Sequence, residues 1–377
     1  MQFIPSLIAT IIPLFFLYLI YKLDLFKTGY FRYILMSFIA GAVAFGLASF
    51  TNQLLINKAL VDRMVVIQYV APVLEEFLKC MILIYLVKKP SFTYYVEGAT
   101  YGFAAGIGFA VLENYQYILS SPDSGMAIAI ARVLSTNLMH ASATSLAGIF
   151  IGQTRFLKPI KGFLYGLVGL LSAIIIHTVY NNLVTRLNTG LLLLIAAGFG
   201  FISASIIALS IRRGLDTEKA WIEEKLEEED RVTSTEARLV QGMSKLKKIL
   251  APFAEKFGIK KAAQAEKFLV IQARLGILRK TMDLMADQQS KAAIEDQINQ
   301  LLNEMDVIRR SIGAYAMLYV RHIFPSDVSP LWQNIEMAIQ DQSQSSTGKT
   351  GINLWANLAA RQAANTTIKD KTQNQEE

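Results

Sequence analysis

The chain has 377 residues, is 53% hydrophobic and carries 37 Lys+Arg against 30 Asp+Glu, a formal net charge of +7. With a mean hydropathy of +0.36, it is too apolar to be one soluble domain and reads as a membrane protein with a polar appendage. Residues 1–213 hold 15 basic and 7 acidic residues, whereas residues 214–377 hold 22 and 23. The positive excess therefore lies in the apolar part, at helix ends, which argues against a nucleic-acid surface.

In chain order, Met1-Gln2-Phe3-Ile4-Pro5 runs straight into an apolar stretch. It has no basic n-region and no small-residue cleavage site, so a first transmembrane helix is expected in place of a signal peptide. Apolar length predicts seven spans, at about 3–22, 31–50, 64–87, 93–119, 126–152, 160–187 and 190–211. One set of loops carries Lys22, Lys27, Arg32, Lys88, Lys89, Arg155, Lys158, Lys161, Arg212 and Arg213. The other carries Lys58, Arg63 and Arg186, with Arg132 inside its span. The richer side is cytoplasmic, which puts the N-terminus outside and the C-terminal segment inside. An eighth span or a re-entrant loop would invert part of this topology.

Cys80, the single cysteine, excludes an intramolecular disulfide and reads as a small core residue. Gly98, Gly102 and Gly106 recur at four-residue spacing in the fourth span, a small-residue stripe that lets helices approach closely. Beyond residue 213 the composition turns polar, with an acidic run at 221–230. Apolar positions Ile298, Leu301, Met305, Ile308 and Ile312 recur at helical spacing. The expected organisation is all-α: a polytopic transmembrane helical bundle of about seven spans at 1–213, a helical cytoplasmic domain at 214–341 and a flexible tail with a short amphipathic segment at 342–377. Amphipathic helices fill about 216–324 and end before Pro325 and Pro330; a polar loop covers 342–351, and the tail from Thr366 is low in apolar residues. The triplet Gly348-Lys349-Thr350 is not a phosphate loop: Ser343 stands where its first glycine belongs, and no strand precedes it. His322 reads as a surface histidine.

The chemistry lies inside the spans. Glu75, Glu76 and Lys79 occupy the middle of the third span, where each charge costs about 2.5–3.5 kcal/mol on insertion scales. A purely structural segment would avoid that cost. Lys79 can neutralise either glutamate, and the two glutamates project about 100° apart. Pro72 removes a backbone hydrogen bond just before them. Glu113 and Asn114 end the fourth span, His140 is central in the fifth, and His177 and Asn181 share a face of the sixth. The expected depths of these groups agree within about two helical turns. Glu97, at the start of the fourth span, reads as a cap or a snorkelled interfacial acid.

Two enzymatic arrangements suit such a cluster. A glutamate can activate water while His177 and Asn181 donate to a developing oxyanion. Alternatively Glu113, His140 and His177 can hold a catalytic zinc, with Glu76 as base. The same groups would also suit a proton or cation pathway in a transporter, or an inactive scaffold pinned by hydrogen bonds.

The ordered set Glu75-Glu76-Phe77-Leu78-Lys79, Glu97-Gly98, Gly106-Ile107-Gly108-Phe109-Ala110, Glu113-Asn114, His140 and His177 with Asn181 resembles the PrsW family of intramembrane proteases, which is related to the membrane CAAX-processing proteases. The resemblance covers roughly residues 64–190. It implies peptide-bond hydrolysis of a membrane-anchored substrate in a bacterial cell membrane, in bacterial members an anti-sigma factor cut at its extracytoplasmic side. Carried over, Glu75 and Glu76 match the water-activating pair, and His177 and Asn181 match the oxyanion pair. Glu113 stands where the CAAX-type relatives have histidine, and Lys79 stands for their arginine at a different spacing. The resulting expectation is an intramembrane endopeptidase of glutamic or metal-dependent type, with Glu75, Glu76, Glu113, His140, His177 and Asn181 catalytic and Lys79 and Asn114 supporting. A cytoplasmic partner or self-association is expected through 214–341.

Overall fold

The computed structural model describes residues 2–23, 29–186, 189–227, 246–285 and 288–321. Among these the regular structure is helical and no strand occurs. Lys27, the end of the 221–230 acidic run, His322, Pro325, Pro330, the 342–351 loop with its Gly-Lys-Thr triplet and the tail from Thr366 lie outside the described residues.

Helix α1 spans Phe3–Leu23 and α2 spans Phe31–Asn57. The expected third span is composite. A single turn at Arg63–Val65, N-capped by the Asp62 carboxylate, leads into a π-helical turn at Val66–Val70 and then α3 at Ala71–Leu86. Pro72 sits in the first turn of α3, where its missing N–H is tolerated. Helix α4 runs Tyr95–Ser120. The expected fifth span is also broken: α5 covers Gly125–Leu134 and α6 covers Thr136–Gln153, with Ser135 off helical geometry at φ −121° and ψ −77°. Helix α7 spans Pro159–Arg186, and α8 spans Thr189–Glu227. The 213/214 boundary expected between membrane and cytoplasmic parts thus falls inside one continuous helix.

Three of these helices are long and apolar enough to cross a membrane on length and composition, at Phe3–Lys22, Phe31–Asn57 and Pro159–Thr185. The seven-span count is not established by this measure, for physical reasons visible in the other elements. Helix α3 has 16 residues, α5 has 10, and α4 and α6 give their positions to glycine and buried polar side chains.

Helix α4 is the centre of the bundle, buried from Val96 to Val111. The glycine stripe accounts for the fit. A Cβ on Gly106 would lie 2.5 Å from the Ala141 Cα, and one on Gly102 would lie 2.8 Å from the Ser145 Cα, so α4 and α6 meet backbone to backbone. Glu97 is a cap: its carboxylate accepts from the Thr93 N–H at 2.6 Å, the Tyr94 N–H at 2.8 Å and the Thr93 hydroxyl. Arg155, in the loop after α6, donates to the Val87 and Lys89 carbonyls beyond α3. Burial pulls its guanidinium down to about 10, against the pull of Glu97.

Further on, α9 spans Ala251–Phe257, α10 Ile259–Leu284, α11 Gln288–Ile312 and α12 Ala314–Arg321. These meet the expectation of amphipathic helices: Ile294, Ile298, Leu301, Met305, Ile308 and Ile312 are all buried. Helix α10 lies against the bundle and α8. Arg274 donates to the Tyr30 hydroxyl at 2.8 Å, and Lys280 pairs with Glu224 at 2.6 Å.

Candidate active site

Five elements bring the polar residues together. Helix α3 supplies Glu75, Glu76 and Lys79, α4 supplies Glu113 and Asn114, α5 supplies Arg132, α6 supplies His140 and Thr144, and α7 supplies His177. Depth and helical facing, the two properties legible in the sequence, account for this convergence. Cys80 is buried and free, a core residue behind the site.

Glu76 is fully buried and hydrogen-bonded at both oxygens. Its Oε1 accepts from Lys79 Nζ at 2.5 Å and His177 Nδ1 at 2.9 Å, and its Oε2 accepts from the Thr144 hydroxyl at 3.1 Å. So many bonds leave it little capacity to take a proton from water. Lys79 also reaches His140 Nδ1 at 3.0 Å and lies 4.5 Å above the Phe109 ring. Phe109 in turn touches the His140 ring, 5.0 Å between centroids, and closes the apolar side of the site.

Hydrogen-bond chemistry assigns the ring protons. An ammonium only donates, so with Lys79 as the cation beside Glu76, His140 Nδ1 accepts. Its Nε2–H then donates to Glu113 Oε2 at 2.9 Å. A carboxylate only accepts, so His177 Nδ1 carries its proton toward Glu76, and the Nε2 lone pair faces Glu75 Oε2 at 3.8 Å. That Glu75 oxygen is buried and has no hydrogen-bond partner. Two acceptors facing each other inside a protein are costly unless a proton donor or a cation stands between them.

Glu113 is held from its other side by Arg132 at 2.6 Å. Arg132 also donates from Nε to Asn114 Oδ1 at 2.8 Å, and Asn114 donates to Asn137 Oδ1 at 2.6 Å. From the sequence alone, Arg132 bears only on orientation. Its position inside an apolar span was the available signal, since it costs as much there as a glutamate. Thr144 stood one turn from His140 on the same face; Asn137 carried no signal in the sequence.

Asn181 is directed elsewhere. Its Nδ2 donates at 2.9 Å to the Ile67 carbonyl in the π-helical turn before α3. Asn182 and Thr185 continue this contact: Asn182 meets the Tyr69 hydroxyl at 3.4 Å, and Thr185 accepts from Gln68 at 2.9 Å. The turn leading to Glu75 and Glu76 is thus fastened to α7.

One ligand atom each of Glu75, His140 and His177 lies within 4.8 Å of the others. Zinc–ligand bonds of about 2.0–2.2 Å would put neighbouring ligand atoms about 3.4 Å apart. The 3.8 Å between His177 Nε2 and Glu75 Oε2 is close to that. The unpartnered Glu75 oxygen, the open His177 Nε2 and the Glu76 carboxylate behind His177 fit a metal site with its outer support. His140 can join that set through Nε2 only as its other tautomer, with the proton on Nδ1, which then no longer accepts from Lys79. The group whose ligand atoms lie close together contains Glu75 in place of the Glu113 expected from the sequence, and Glu113 meets His140 Nε2 instead.

Residues 30–211 match the family model described as PrsW family intramembrane metalloprotease. A curated relative, Protease PrsW of Geobacillus kaustophilus (strain HTA426), is 31% identical over 113 residues. The matched stretch is 29% of this chain and 48% of the relative, so the chain spans about half the length of the curated protein it matches. No solved structure matches the chain.

Proposed function

We propose, from the match of residues 30–211 to the PrsW family model, that this chain is an intramembrane endopeptidase acting on membrane-anchored proteins. The observation that carries the proposal is the buried, unpartnered Glu75 oxygen 3.8 Å from the open Nε2 of His177. It lies within a cluster whose other charges are paired.

In the reading best supported, Glu75, His177 and His140 hold a divalent cation, with zinc the expected ion. Such an ion, when bound, polarises a peptide carbonyl and acidifies water. The chain's own groups have separable tasks. Glu76 orients His177 through Nδ1 and is itself fixed by Lys79 and Thr144. Lys79 balances the Glu76 charge. Glu113, on the less buried side of the cluster, is the candidate to take the proton from water and deliver it to the leaving amine through Oε1, since Arg132 and His140 both engage Oε2. Arg132 and Asn114 hold that side in register. The substrate inferred from the family resemblance is a membrane-anchored anti-sigma-like factor cut outside the cytoplasm.

A second reading keeps the glutamate mechanism without metal. It is favoured by His140, whose two nitrogens are both taken, by Lys79 and by Glu113. Glu75 is then the general base, because it alone of the two adjacent glutamates has a free oxygen.

The test is cleavage of a single-pass membrane reporter by the intact chain and by Glu75→Gln, Glu76→Gln and His177→Ala, each at equal membrane abundance, with and without a permeant chelator. We expect all three variants to lose the fragment and the chelator to abolish cutting reversibly. Persistent cutting in all three variants would overturn the site assignment. Indifference to the chelator would select the metal-free reading.

A further inference from the structure

The members of the cluster differ in exposure. Glu76 and Lys79 are fully buried, whereas the Glu113 and Arg132 side chains keep 18% and 15% of their surface. Both lie on one hairpin, formed by α4, the 121–124 connection and α5. Glu113 is seven residues from the end of α4 and Arg132 seven from the start of α5, about 10 Å down at 1.5 Å per residue. An ion pair exposed to hydrocarbon at that depth would cost several kcal/mol. Its open surface therefore faces water.

The sequence of α4 supplies a path. Glu113, Gln116, Tyr117 and Ser120 follow at i, i+3, i+4 and i+7 and form a polar stripe from the cluster to the hairpin. Gln116 accepts from Ser49 of α2 at 3.4 Å, so the neighbouring helix turns a polar side chain to the same stripe. The Tyr117 ring, 46% exposed, lies 3.9 Å from the Arg132 guanidinium. The break at Ser135 ends α5 about one turn beyond Arg132, so the hairpin reaches no deeper than the cluster.

We propose that the α4–α5 hairpin forms the aqueous port of the buried cluster, lined by Glu113, Gln116, Tyr117 and Arg132, through which bulk water reaches Glu75 and His177. The port exists whether or not the chain cuts peptides; under the protease reading it delivers the hydrolytic water and fixes the hairpin side as the side of cleavage.

Thiol accessibility tests this without any assay of activity. Cys80→Ala removes the only native thiol, and single cysteines are then placed at Gln116, Tyr117, Met81 and Ile84, with Ser121→Cys marking the hairpin side. Met81 and Ile84 are 54% and 48% exposed on α3 among apolar neighbours. The probe is a charged, membrane-impermeant methanethiosulfonate applied to sealed vesicles of either orientation. Because the thiolate is the reacting form and apolar surroundings suppress it, Gln116→Cys and Tyr117→Cys should label at least about tenfold faster than Met81→Cys and Ile84→Cys. They should label from the side that labels Ser121→Cys. Labelling no faster than the two α3 positions, or only from the opposite side, would overturn the port. Two positions on the stripe guard against one variant misfolding, and protein abundance and detergent melting identify such a case.

Discussion

Lys79 offers the sharpest energetic test of the site. Its Nζ lies 2.5 Å from Glu76 Oε1, with both side chains fully buried. At that separation the gross attraction is about 6–7 kcal/mol for an effective dielectric near 20. Much of this is offset by the cost of burying both charges, so the pair is not a net stabiliser of that size. Removing one partner alone is different. Lys79→Met leaves Glu76 with only His177 and Thr144, and a stranded buried charge typically costs about 3–5 kcal/mol. In a denaturant titration in mixed micelles, the unfolding constant should rise about 10²- to 10³-fold or more, since 1.4 kcal/mol is one decade. Glu76→Gln should cost less, because Lys79 keeps His140 Nδ1 at 3.0 Å. The double variant Glu76→Gln/Lys79→Met should recover most of the loss, giving a coupling energy of about 2–3 kcal/mol. Additive single effects, or a neutral Lys79→Met, would refute the claim that these two charges form one buried unit.

Other substitutions separate structural from chemical roles. Gly106→Val drives side-chain atoms into the Ala141 backbone, where even a Cβ would lie at 2.5 Å; little of it should accumulate in the membrane on quantitative blotting. Gly46→Ala, with nothing within 4 Å, should be neutral or stabilising by up to about 1 kcal/mol in the same titration. Asn181→Leu strips the Ile67 carbonyl of its partner and should cost about 1–3 kcal/mol, with reporter cleavage falling alongside stability; a large loss of cleavage at unchanged stability would restore Asn181 to the oxyanion. Glu97→Gln weakens the α4 cap by about 1 kcal/mol and should leave reporter cleavage per folded molecule unchanged.

Much of the candidate site's convergence was legible because charge in an apolar span is expensive and therefore informative. Glu75, Glu76, Glu113, His140 and His177 were each picked out by that cost, and the glycine stripe announced the close α4–α6 approach that brings them together. What each residue touches was not legible. Glu75 and Glu76 are neighbours in sequence, and nothing in their spacing says which one is saturated; that depends on Thr144 and His177 arriving from other helices. Asn181 lies one turn from His177, yet the carbonyl it meets belongs to a π-helical turn that periodicity does not reveal. The break at Ser135 was hidden for a similar reason: the run through it stays apolar, and only tertiary contact distinguishes one long helix from two short ones. The 213/214 boundary followed composition, but helix α8 continues through the change because its half beyond residue 213 is packed by α10.

The pairing also isolates one group. Three carboxylates, Glu75, Glu76 and Glu113, share the cluster with two cations, Lys79 and Arg132. Lys79 is held by Glu76 and Arg132 by Glu113, so the unbalanced negative charge falls on Glu75, whose oxygen also lacks a donor. Two additions satisfy both deficits at once, a proton on Glu75 or a cation shared with His177. They differ in what Glu75→Gln does. A glutamine imitates the protonated carboxyl, so in the first case the variant should fold as well as the parent and bind no less metal. In the second it removes a charged ligand, and zinc bound per purified chain should fall with stability lost only when zinc is present for the parent. The behaviour of Glu75→Gln therefore decides between the two forms of the enzymatic reading.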